Sequence, residues 1–410
     1  MKIINLVKSS RRLLGRSSVI NLCRHIASQG NTQHHKVLVS KSLNIYENLA
    51  LEDWLYENTD FNKETILLLW HNSPCVVFGR HQNPWIECNV PYCEKFGVDL
   101  VRRKSGGGTV YHDEGNLNCS FMMKQSLYNR RRNLQLVVDA LTYKWNTPLS
   151  INDRDDILLL DKYKISGTAS KLGRNKTYHH FTLLYNVDTL RLKSILHSNL
   201  DGTISNATRS IPAPVMNLVD LVPDIDFSSL VNVISERFVE DTESSVVEYV
   251  DPADKSAFPG INKHLAELKA WNWIFAKTPP FSISRTFQNE FSRTITFLEV
   301  SLDVTKGKIH NLDLKVTPPT MIDSKVFIAL SVGMEETQFT LNEISKKLSS
   351  VKMEWITSRL YTVETHAILD WTLLCIIETV ALHHGRTPSQ NTDNNSEKTY
   401  LNNNESQATW

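Results

Sequence analysis

The stretch VRRKSGGGTVYHDEGN, residues 101–116, is the most unusual part of this 410-residue chain. Three consecutive glycines follow two arginines and a lysine, although the whole chain has only 15 glycines. Glycine permits a positive φ and lets a ligand approach the backbone, and successive N–H groups beside arginines can hold a phosphate. No GK[ST] follows, so the stretch is not a P-loop. On spacing alone, a glycine-rich connection between two strands is an equal alternative.

Apolar runs on both sides of this loop predict a sheet. A hairpin is predicted for TILLLW and PCVVFGR, which are separated by HNSP, and single strands for GVDLVRRK, LNCSFMMK, DILLL, YKISGTASKLG and HHFTLLYNVD. Helical spacing of apolar residues predicts helices in ENLALEDWLYENT and NLQLVVDALTYKW. Because the strands follow one another with few helices between them, the pattern predicts an α+β fold around a mixed, mostly antiparallel sheet.

The chain is long enough for two domains, since a single core rarely grows past roughly 250–300 residues. A Pro/Gly/Asp-rich stretch, DPADKSAFPGINK, predicts a boundary that separates residues 35–250 from a small α+β domain over 251–384. Residues 385–410 are rich in Asn and Ser, with little to bury, and predict a disordered polar tail.

Residues 1–34 have the composition of a mitochondrial transit peptide. They are rich in Arg, contain Ser and apolar residues at helical spacing, and no acidic residue occurs before Glu47. A basic disordered arm is the alternative. The formal net charge of +1 argues against a nucleic-acid partner. No apolar run reaches the ~18 residues that a membrane span needs. The spacing of the six cysteines suggests no metal site. We expect a monomer.

Two further segments contain residues that could carry chemistry. Lys164 lies in an apolar, strand-like run, where a lysine is costly unless it meets an anion or a carbonyl; an edge lysine that faces water is the alternative. His179 and His180 are adjacent, so on a strand they point to opposite faces and cannot share a metal. We expect one of them to be packed and the other exposed.

Four segments, taken in order, resemble the lipoate–protein ligase A and lipoyltransferase family over about residues 40–225. They are GRHQNPWIECN, RRKSGGGTVYHDEGN, KISGTAS and YHHFTLLYN. FPGINKHLAELKAWNWIFAKTPPFSI extends the resemblance into the second domain. The resemblance implies a catalytic domain shared with biotin protein ligases over 35–250, followed by a small accessory domain. It also implies an acyltransferase, which passes a lipoyl group, activated as a mixed anhydride with AMP, to a lysine of an acceptor lipoyl domain.

The resemblance also implies site residues. Lys164 matches the lysine of the family's K-x-SG motif and would stabilise the developing oxyanion and the leaving group. The expected lipoyl-AMP-binding residues, besides Lys164, are Arg103, Ser105, Gly106, Gly107, Gly108, Thr109, Val110, Tyr111, Arg154, Thr182 and Thr208. Hydrophobicity alone suggests an apolar lipoyl channel near Trp70, Val77 and Phe78, and no metal site is implied.

One departure concerns the donor. Pro212 and Pro214 stand where bacterial ligases tend to have arginines. We therefore expect a transferase that takes lipoyl from lipoyl-AMP or from the lipoylated glycine cleavage H protein. The expected acceptors are lipoyl domains of the acyltransferase subunits of pyruvate, 2-oxoglutarate and branched-chain 2-oxoacid dehydrogenases, in the mitochondrial matrix.

Three other functions remain as alternatives. A full lipoate–protein ligase would use ATP and Mg²⁺. An octanoyltransferase would by resemblance need a thioester-forming cysteine, and residues 164–186 contain none. A non-catalytic lipoyl-domain binder would have a decayed site, which the retained Arg103, triple glycine and Lys164 argue against.

Overall fold

The computed structural model describes residues 34–196, 202–240, 245–318, 324–357 and 363–381. The predicted presequence, apart from His34, and the predicted polar tail lie outside these ranges. The chain divides into two compact units. The first contains residues up to Gln82, Phe96–Leu196 and Thr208–Ile274, and the second contains Asn83–Lys95, the stretch that ends at Ala207, and the residues from Phe275 onward.

The strands of the described residues are β1 (His34–Ser40), β2 (Glu64–Trp70), β3 (Cys75–Phe78), β4 (Asp99–Arg102), β5 (Val110–His112), β6 (Asn116–Lys124), β7 (Leu149–Ile151), β8 (Ile157–Leu159), β9 (Tyr163–Lys164), β10 (Thr168–Leu172), β11 (Lys176–Leu184), β12 (Thr203–Ser205), β13 (Ser245–Val250), β14 (Phe281–Phe291), β15 (Thr294–Thr305) and β16 (Lys308–Thr317). The helices are α1 (Ile45–Asn58), α2 (Pro84–Glu87), α3 (Val90–Lys95), α4 (Arg130–Trp145), α5 (Thr189–Ile195), α6 (Phe227–Val239), α7 (Ile261–Lys269), α8 (Trp271–Ile274), α9 (Ser324–Met334), α10 (Leu341–Thr357) and α11 (Val363–Val380).

The first unit is an α+β domain built on a mixed sheet, as the sequence predicts. Its six-stranded sheet has the order β10-β11-β6-β2-β1-β13, with parallel pairing at β1–β2 and β1–β13 and antiparallel pairing elsewhere. Two three-stranded sheets, β4-β3-β5 and β7-β8-β9, complete the unit. They carry the glycine loop and Lys164, respectively.

Strands β2, β6 and β11 of the six-stranded sheet are buried on both faces. Side chains alternate between the faces, so Leu67 and Leu69 contribute to a core cluster with α4 and α6, whereas Ile66 and Leu68 contribute to a second cluster with α1 and α7. Helix α1 begins at the cap Asn44, whose side chain accepts hydrogen bonds from the N–H groups of the first turn. Burial on both faces explains why β2 is a continuous apolar run over residues 66–70.

The predicted hairpin between β2 and β3 is wrong. Strand β2 pairs with β1 and β6, whereas β3 pairs with β4 and β5 in a separate sheet. Both runs are fully buried, so neither has the alternation that would reveal its register, and the HNSP connection lacks the glycine that favours a two-residue hairpin turn.

The first unit extends beyond the Pro/Gly/Asp-rich stretch at 251–263. Phe258, Ile261 and Leu268 belong to the same core cluster as α1, and the described residues of this unit continue to Ile274. Arg102 is fully buried, and its Nε donates hydrogen bonds to the carbonyl oxygens of Ile274 (2.8 Å) and Trp273 (3.1 Å).

The second unit contains a four-stranded antiparallel sheet in the order β12-β14-β15-β16, together with α9, α10 and α11. Strands β15 and β16 form a hairpin whose turn lies in TKGK, and Lys306 and Gly307 both have positive φ, as a tight hairpin turn requires. No helix in the described residues is long and apolar enough to cross a bilayer.

Candidate functional site

A cavity of about 280 Å³ lies in the first unit. Its floor is the six-stranded sheet, where Trp70, Asn118 and Thr182 form a row across β2, β6 and β11. Residues of β3 and β5 and the glycine loop line it from another side, as do Lys164 on β9 and the segment 208–211. The three sheets thus enclose one site.

Two of the three consecutive glycines are required by their surroundings. Gly107 has φ +83°, a region that favours glycine, and a Cβ there would lie 3.2 Å from the Cβ of Ala169. A Cβ on Gly108 would lie 3.0 Å from Ser210 Oγ, whereas one on Gly106 would meet nothing within 4 Å. Gly79, from the preceding strand connection, packs so closely that its Cβ would lie 2.1 Å from the carbonyl oxygen of Gly107.

Arg103 is buried beneath this loop and holds its backbone. The guanidinium donates to the carbonyl oxygens of Gly106 (2.5 Å), Gly108 (2.7 Å) and Val77 (3.0 Å), and Nε donates to Ser105 Oγ (2.9 Å). Burial lowers the pKa of Arg103 to about 10, so it stays charged at neutral pH. The N–H groups of Gly106, Gly107 and Gly108 have no acceptor among the described residues.

A buried glutamine connects three segments around the loop. Gln82 Oε1 accepts from the Gly79 N–H and from Thr109 Oγ1, both at 2.8 Å. Its Nε2 donates to Ser210 Oγ (3.1 Å), which also accepts from the Thr109 N–H (2.8 Å). Thr208 lies in the same segment, and its carbonyl oxygen is 3.4 Å from Gln82 Nε2. The site therefore depends on contacts between residues that lie far apart in sequence.

Lys164 lines the cavity and pairs with a carboxylate. Its Nζ lies 2.8 Å from Asp156 Oδ1, and its side chain is 23% exposed. Backbone pairing fixes its position, because the Lys164 N–H donates to the Pro214 carbonyl oxygen (2.8 Å) and β9 pairs with β8. Asn152 Oδ1 accepts from the Asp156 N–H at 3.0 Å. The ammonium is therefore held at the cavity by an anchored carboxylate.

Three further arginines line the cavity: Arg130, Arg154 and Arg209. Arg154 and Arg209 are exposed, and neither guanidinium has a hydrogen-bond or ion-pair partner in the described part of the chain. Arg130 lies 3.7 Å from Asp155 Oδ2. Asp156 is the one carboxylate among the described lining residues, so the cavity carries an excess of positive charge suited to an anion.

The two adjacent histidines do point to opposite faces, but both are buried, so the expected exposure of one is wrong. His180 lines the cavity, and its ring nitrogens lie 2.7 Å from Ser105 Oγ and 2.8 Å from Glu52 Oε1. His179 contacts Asn133 and Thr168 instead, and burial lowers its pKa. Helices α1 and α4 cover both faces of the sheet, which is why neither ring reaches solvent.

Nine of the expected binding residues line the cavity: Arg103, Gly107, Gly108, Thr109, Val110, Arg154, Lys164, Thr182 and Thr208. Ser105, Gly106 and Tyr111 do not. Ser105 is buried against His180, and Tyr111 points away from Val110 and His112 because side chains alternate on β5. Thr182 accepts from the Gly167 N–H (2.8 Å) and thereby fixes the cavity wall.

The predicted channel is present in part: Trp70 and Val77 line the cavity, whereas Phe78, which follows Val77 on β3, does not. The sequence expectations missed further lining or supporting residues: Gln82, His112, Arg130, Asp156, His180, Arg209 and Ser210. Gln82 lies in the motif GRHQN, and Arg209 follows Thr208 in SNATRS, so both were within reach of the sequence patterns. Arg130 had no such signal, because a run of three arginines resembles a solvated helix end.

Comparisons with known proteins agree with this architecture. The sequence profile of the lipoyl protein ligase A/B catalytic domain matches residues 44–239. The chain is 42% identical over 276 residues to the mitochondrial lipoyl amidotransferase of Homo sapiens, which is 67% of this chain and 74% of that protein. It is 35% identical over 283 residues to the lipoate-protein ligase A of Psychrobacter cryohalolentis, which is 68% of this chain and 81% of that protein. LipL1 of P. falciparum, solved in complex with lipoate, has a TM-score of 0.52 at 26% identity and covers 84% of this chain and 100% of its own.

Proposed function

This chain belongs to the lipoyl amidotransferase and lipoate–protein ligase family, and on that premise we propose that it transfers a lipoyl group from lipoyl-AMP, or from lipoylated glycine cleavage H protein, to a lysine of a lipoyl domain. The observation that carries the proposal is the convergence of Lys164 and the glycine loop on one cavity. A cation and free N–H groups beside an apolar recess match the parts of an acyl-adenylate: a phosphate, a carbonyl and a long apolar chain.

The chemistry assigned to the residues is acyl transfer. The amine of the acceptor lysine bonds to the acyl carbon, the bond between that carbon and the phosphate oxygen breaks, and AMP leaves with the electron pair while the amine loses a proton. Lys164 would stabilise the oxyanion and the leaving phosphate. The N–H groups of Gly107 and Gly108 would bind the phosphate, and Arg103 would act through the loop that it holds.

Arg154 is assigned to the anionic part of the ligand, because its guanidinium lies at the cavity and has no hydrogen-bond or ion-pair partner in the described part of the chain. Thr182 and Thr208 are assigned to the walls beside the nucleotide. The first unit, whose described residues continue to Ile274 and so pass the expected boundary at residue 250, is proposed as the catalytic domain. The second unit is proposed as an accessory domain, followed by a polar tail over 385–410.

The finer biological assignments extend the same proposal. The human relative is named as mitochondrial, and residues 1–34 have the composition of a transit peptide, so we place this chain in the mitochondrial matrix. The acceptors would be lipoyl domains of the acyltransferase subunits of pyruvate, 2-oxoglutarate and branched-chain 2-oxoacid dehydrogenases. The names of the relatives, a lipoyl amidotransferase and a lipoate-protein ligase, support a protein acceptor of this class.

A second function, ATP-dependent lipoate–protein ligase, is favoured by one specific observation. Besides Lys164, three arginines contribute positive charge to a cavity whose described lining has one carboxylate: Arg130, Arg154 and Arg209. An adenylate presents a single phosphate, whereas ATP presents three, so the additional arginines fit a polyphosphate as well as they fit an adenylate. Bound Mg²⁺ would neutralise phosphate charge in that reaction.

The test is a mass-shift assay on an apo lipoyl domain, with three donors in parallel: lipoyl-AMP, lipoate with ATP and Mg²⁺, and lipoylated H protein. Transfer from the first or the third donor alone establishes a transferase without activation. Efficient transfer from lipoate and ATP establishes a full ligase and makes the interpretation of Pro212 and Pro214 wrong. Absence of transfer from all three donors refutes both functions.

A further inference from the structure

An apolar run lies on the surface beside Lys164. Residues 211–214, with the sequence IPAP, are all exposed, and Ile211 is 63% exposed although it also lines the cavity. The Pro214 carbonyl oxygen accepts from the Lys164 N–H (2.8 Å), and Val215 forms a parallel bridge with Lys164. Residues 211–214, which we call the apolar rim, therefore border the strand that carries Lys164.

The sequence of the apolar rim constrains its backbone. A proline fixes its own φ and restricts the residue before it to extended conformations, so the two prolines together constrain all four residues. Pro212 and Pro214 also lack an N–H, so a further strand cannot add to the rim through a regular hydrogen-bond ladder. The rim therefore presents side chains to a partner, and its backbone loses little conformational entropy when the partner covers it.

Another exposed apolar side chain lies on the other side of β9. Leu158 is opposite Lys164 in the hairpin of β8 and β9. Leu160 follows two residues later, roughly 7 Å from that pair at ~3.3 Å per residue, and is 46% exposed. Its φ is 56°, a left-handed conformation that leucine rarely adopts. Backbone strain of this kind is concentrated at functional sites, and here it accompanies an apolar side chain at the surface.

The position of this apolar surface indicates which partner covers it. Runs of three or four exposed apolar residues are unfavourable in a soluble protein unless they serve a function, such as binding. In the proposed reaction the acceptor amine must reach an acyl carbon beside Lys164, and a lysine side chain spans only about 6 Å from Cα to Nζ. The protein that carries the acceptor lysine must therefore lie against the surface next to Lys164, which is where the apolar rim and Leu160 are.

We propose that the apolar rim and Leu160 form the docking surface for the acceptor lipoyl domain and contact apolar side chains around its target lysine. The proposal rests on the proposed lipoyl transfer and deepens it by assigning the surface that recognises the protein substrate. Lys164 lies between the two contacts, so docking on both of them directs the target amine toward the acyl carbon.

The experiment measures KM and kcat for an apo lipoyl domain at a saturating concentration of the donor, and the affinity for lipoyl-AMP by calorimetry. Ala213→Glu places a charge in the apolar rim, and we expect the KM for the lipoyl domain to rise about tenfold while kcat and the affinity for lipoyl-AMP stay unchanged. Tyr143→Glu is the matched control, because it adds the same charge at a 94% exposed site. Tyr143 lies near the opposite end of α4 from Arg130, about 20 Å away along the helix, so all three values should hold.

Leu160→Asn provides the second test, and it decides the matter if Ala213→Glu does not fold. Asparagine tolerates the positive φ of the turn, so only the apolar side chain is lost, and we expect the KM for the lipoyl domain to rise about fivefold.

Three results overturn the docking surface and leave lipoyl transfer intact. The first is an unchanged KM for the lipoyl domain in the folded variants. The second is a loss of kcat or of lipoyl-AMP affinity as large as the change in KM, because the surface then supports the cavity instead of binding the acceptor. The third is a dimer of the unaltered protein that Ala213→Glu separates without a change in KM, which assigns the surface to a second copy of the chain. Failure of the unaltered protein to modify a lipoyl domain from any donor overturns lipoyl transfer itself and this proposal with it.

Discussion

Gly79→Ala should disable the site from outside the cavity. The new Cβ would lie 2.1 Å from the carbonyl oxygen of Gly107, far inside the ordinary contact distance of about 3.5 Å. Both atoms belong to tightly held backbone, since the Gly79 N–H donates to Gln82 and the loop carbonyls accept from Arg103. The loop must therefore move by about 1 Å, and a misplacement of that size costs about 100-fold in rate, or roughly 2.7 kcal/mol in the transition state.

The assay is kcat/KM for lipoyl transfer from lipoyl-AMP, measured beside thermal unfolding. Gly106→Ala is the matched control, because its Cβ meets nothing within 4 Å and its φ is not in the left-handed region. We expect the control to keep most of the activity and Gly79→Ala to lose about 99% of it, while both remain folded near room temperature. If Gly79→Ala kept half of the activity, or if both alanines were equally damaging, the close packing of loop and strand connection would not be what positions the site.

Three other perturbations have separate expected outcomes. Lys164→Ala should lower transfer by at least about 100-fold with an unchanged unfolding temperature, as for the loss of an oxyanion donor, and normal rates would refute its role. Arg154→Ala should weaken lipoyl-AMP binding in calorimetry without affecting stability. Arg103→Ala should weaken binding and also lower the unfolding temperature, because it leaves four oxygen acceptors without their donor. Equal stability of the two variants would contradict that distinction. Burial raises the pKa of Asp53 to about 6, although the positive charges of Lys104 and Lys171 act in the opposite direction. The neutral carboxyl therefore stabilises the fold below about pH 4 relative to neutral pH, and this stabilisation is lost as the pH rises through 6. Urea unfolding should show that this group lowers the free energy of unfolding by an amount on the order of 2–3 kcal/mol between pH 4.5 and pH 7. Asp53→Asn should remove this part of the pH dependence. Identical pH dependence in both proteins would exclude the assigned role of Asp53.

Local sequence predicted most of the elements but not their pairing. The strands on either side of the glycine loop and helices α1 and α4 follow from apolar runs and helical spacing, which are properties of neighbouring residues. The pairing of strands depends on contacts between distant buried segments, and neither residues 66–70 of β2 nor any residue of β3 carries a charge or an alternation that would mark one face. This is why the expected hairpin between them failed while the α+β class did not.

The same limit applies to the candidate site. Motifs located the glycine loop, Lys164 and Thr208, because each lies in a short distinctive run. Gln82 could not be assigned a role, since its contacts with Ser210 join residues that are far apart in the chain. Asp156 resembled one more surface acid in NDRDD until the pairing of β8 with β9 placed it 2.8 Å from Lys164.

Arg103 lines the candidate cavity, as its motif predicts, but its contacts differ from those that the motif suggests. An arginine before three glycines suggests direct phosphate binding, yet its guanidinium is occupied by Ser105 and by carbonyl oxygens, two of them in the loop. A peptide carbonyl and the N–H that follows it point in opposite directions, so the Gly106 carbonyl, held by the buried arginine, turns the Gly107 N–H the other way. The N–H that follows the Gly108 carbonyl belongs to Thr109 and donates to Ser210 Oγ. We therefore infer that the arginine shapes an anion site that backbone groups complete. Among the described residues, the guanidinium groups of Arg154 and Arg209 line the cavity without a partner, whereas Lys164 lines it while paired with Asp156.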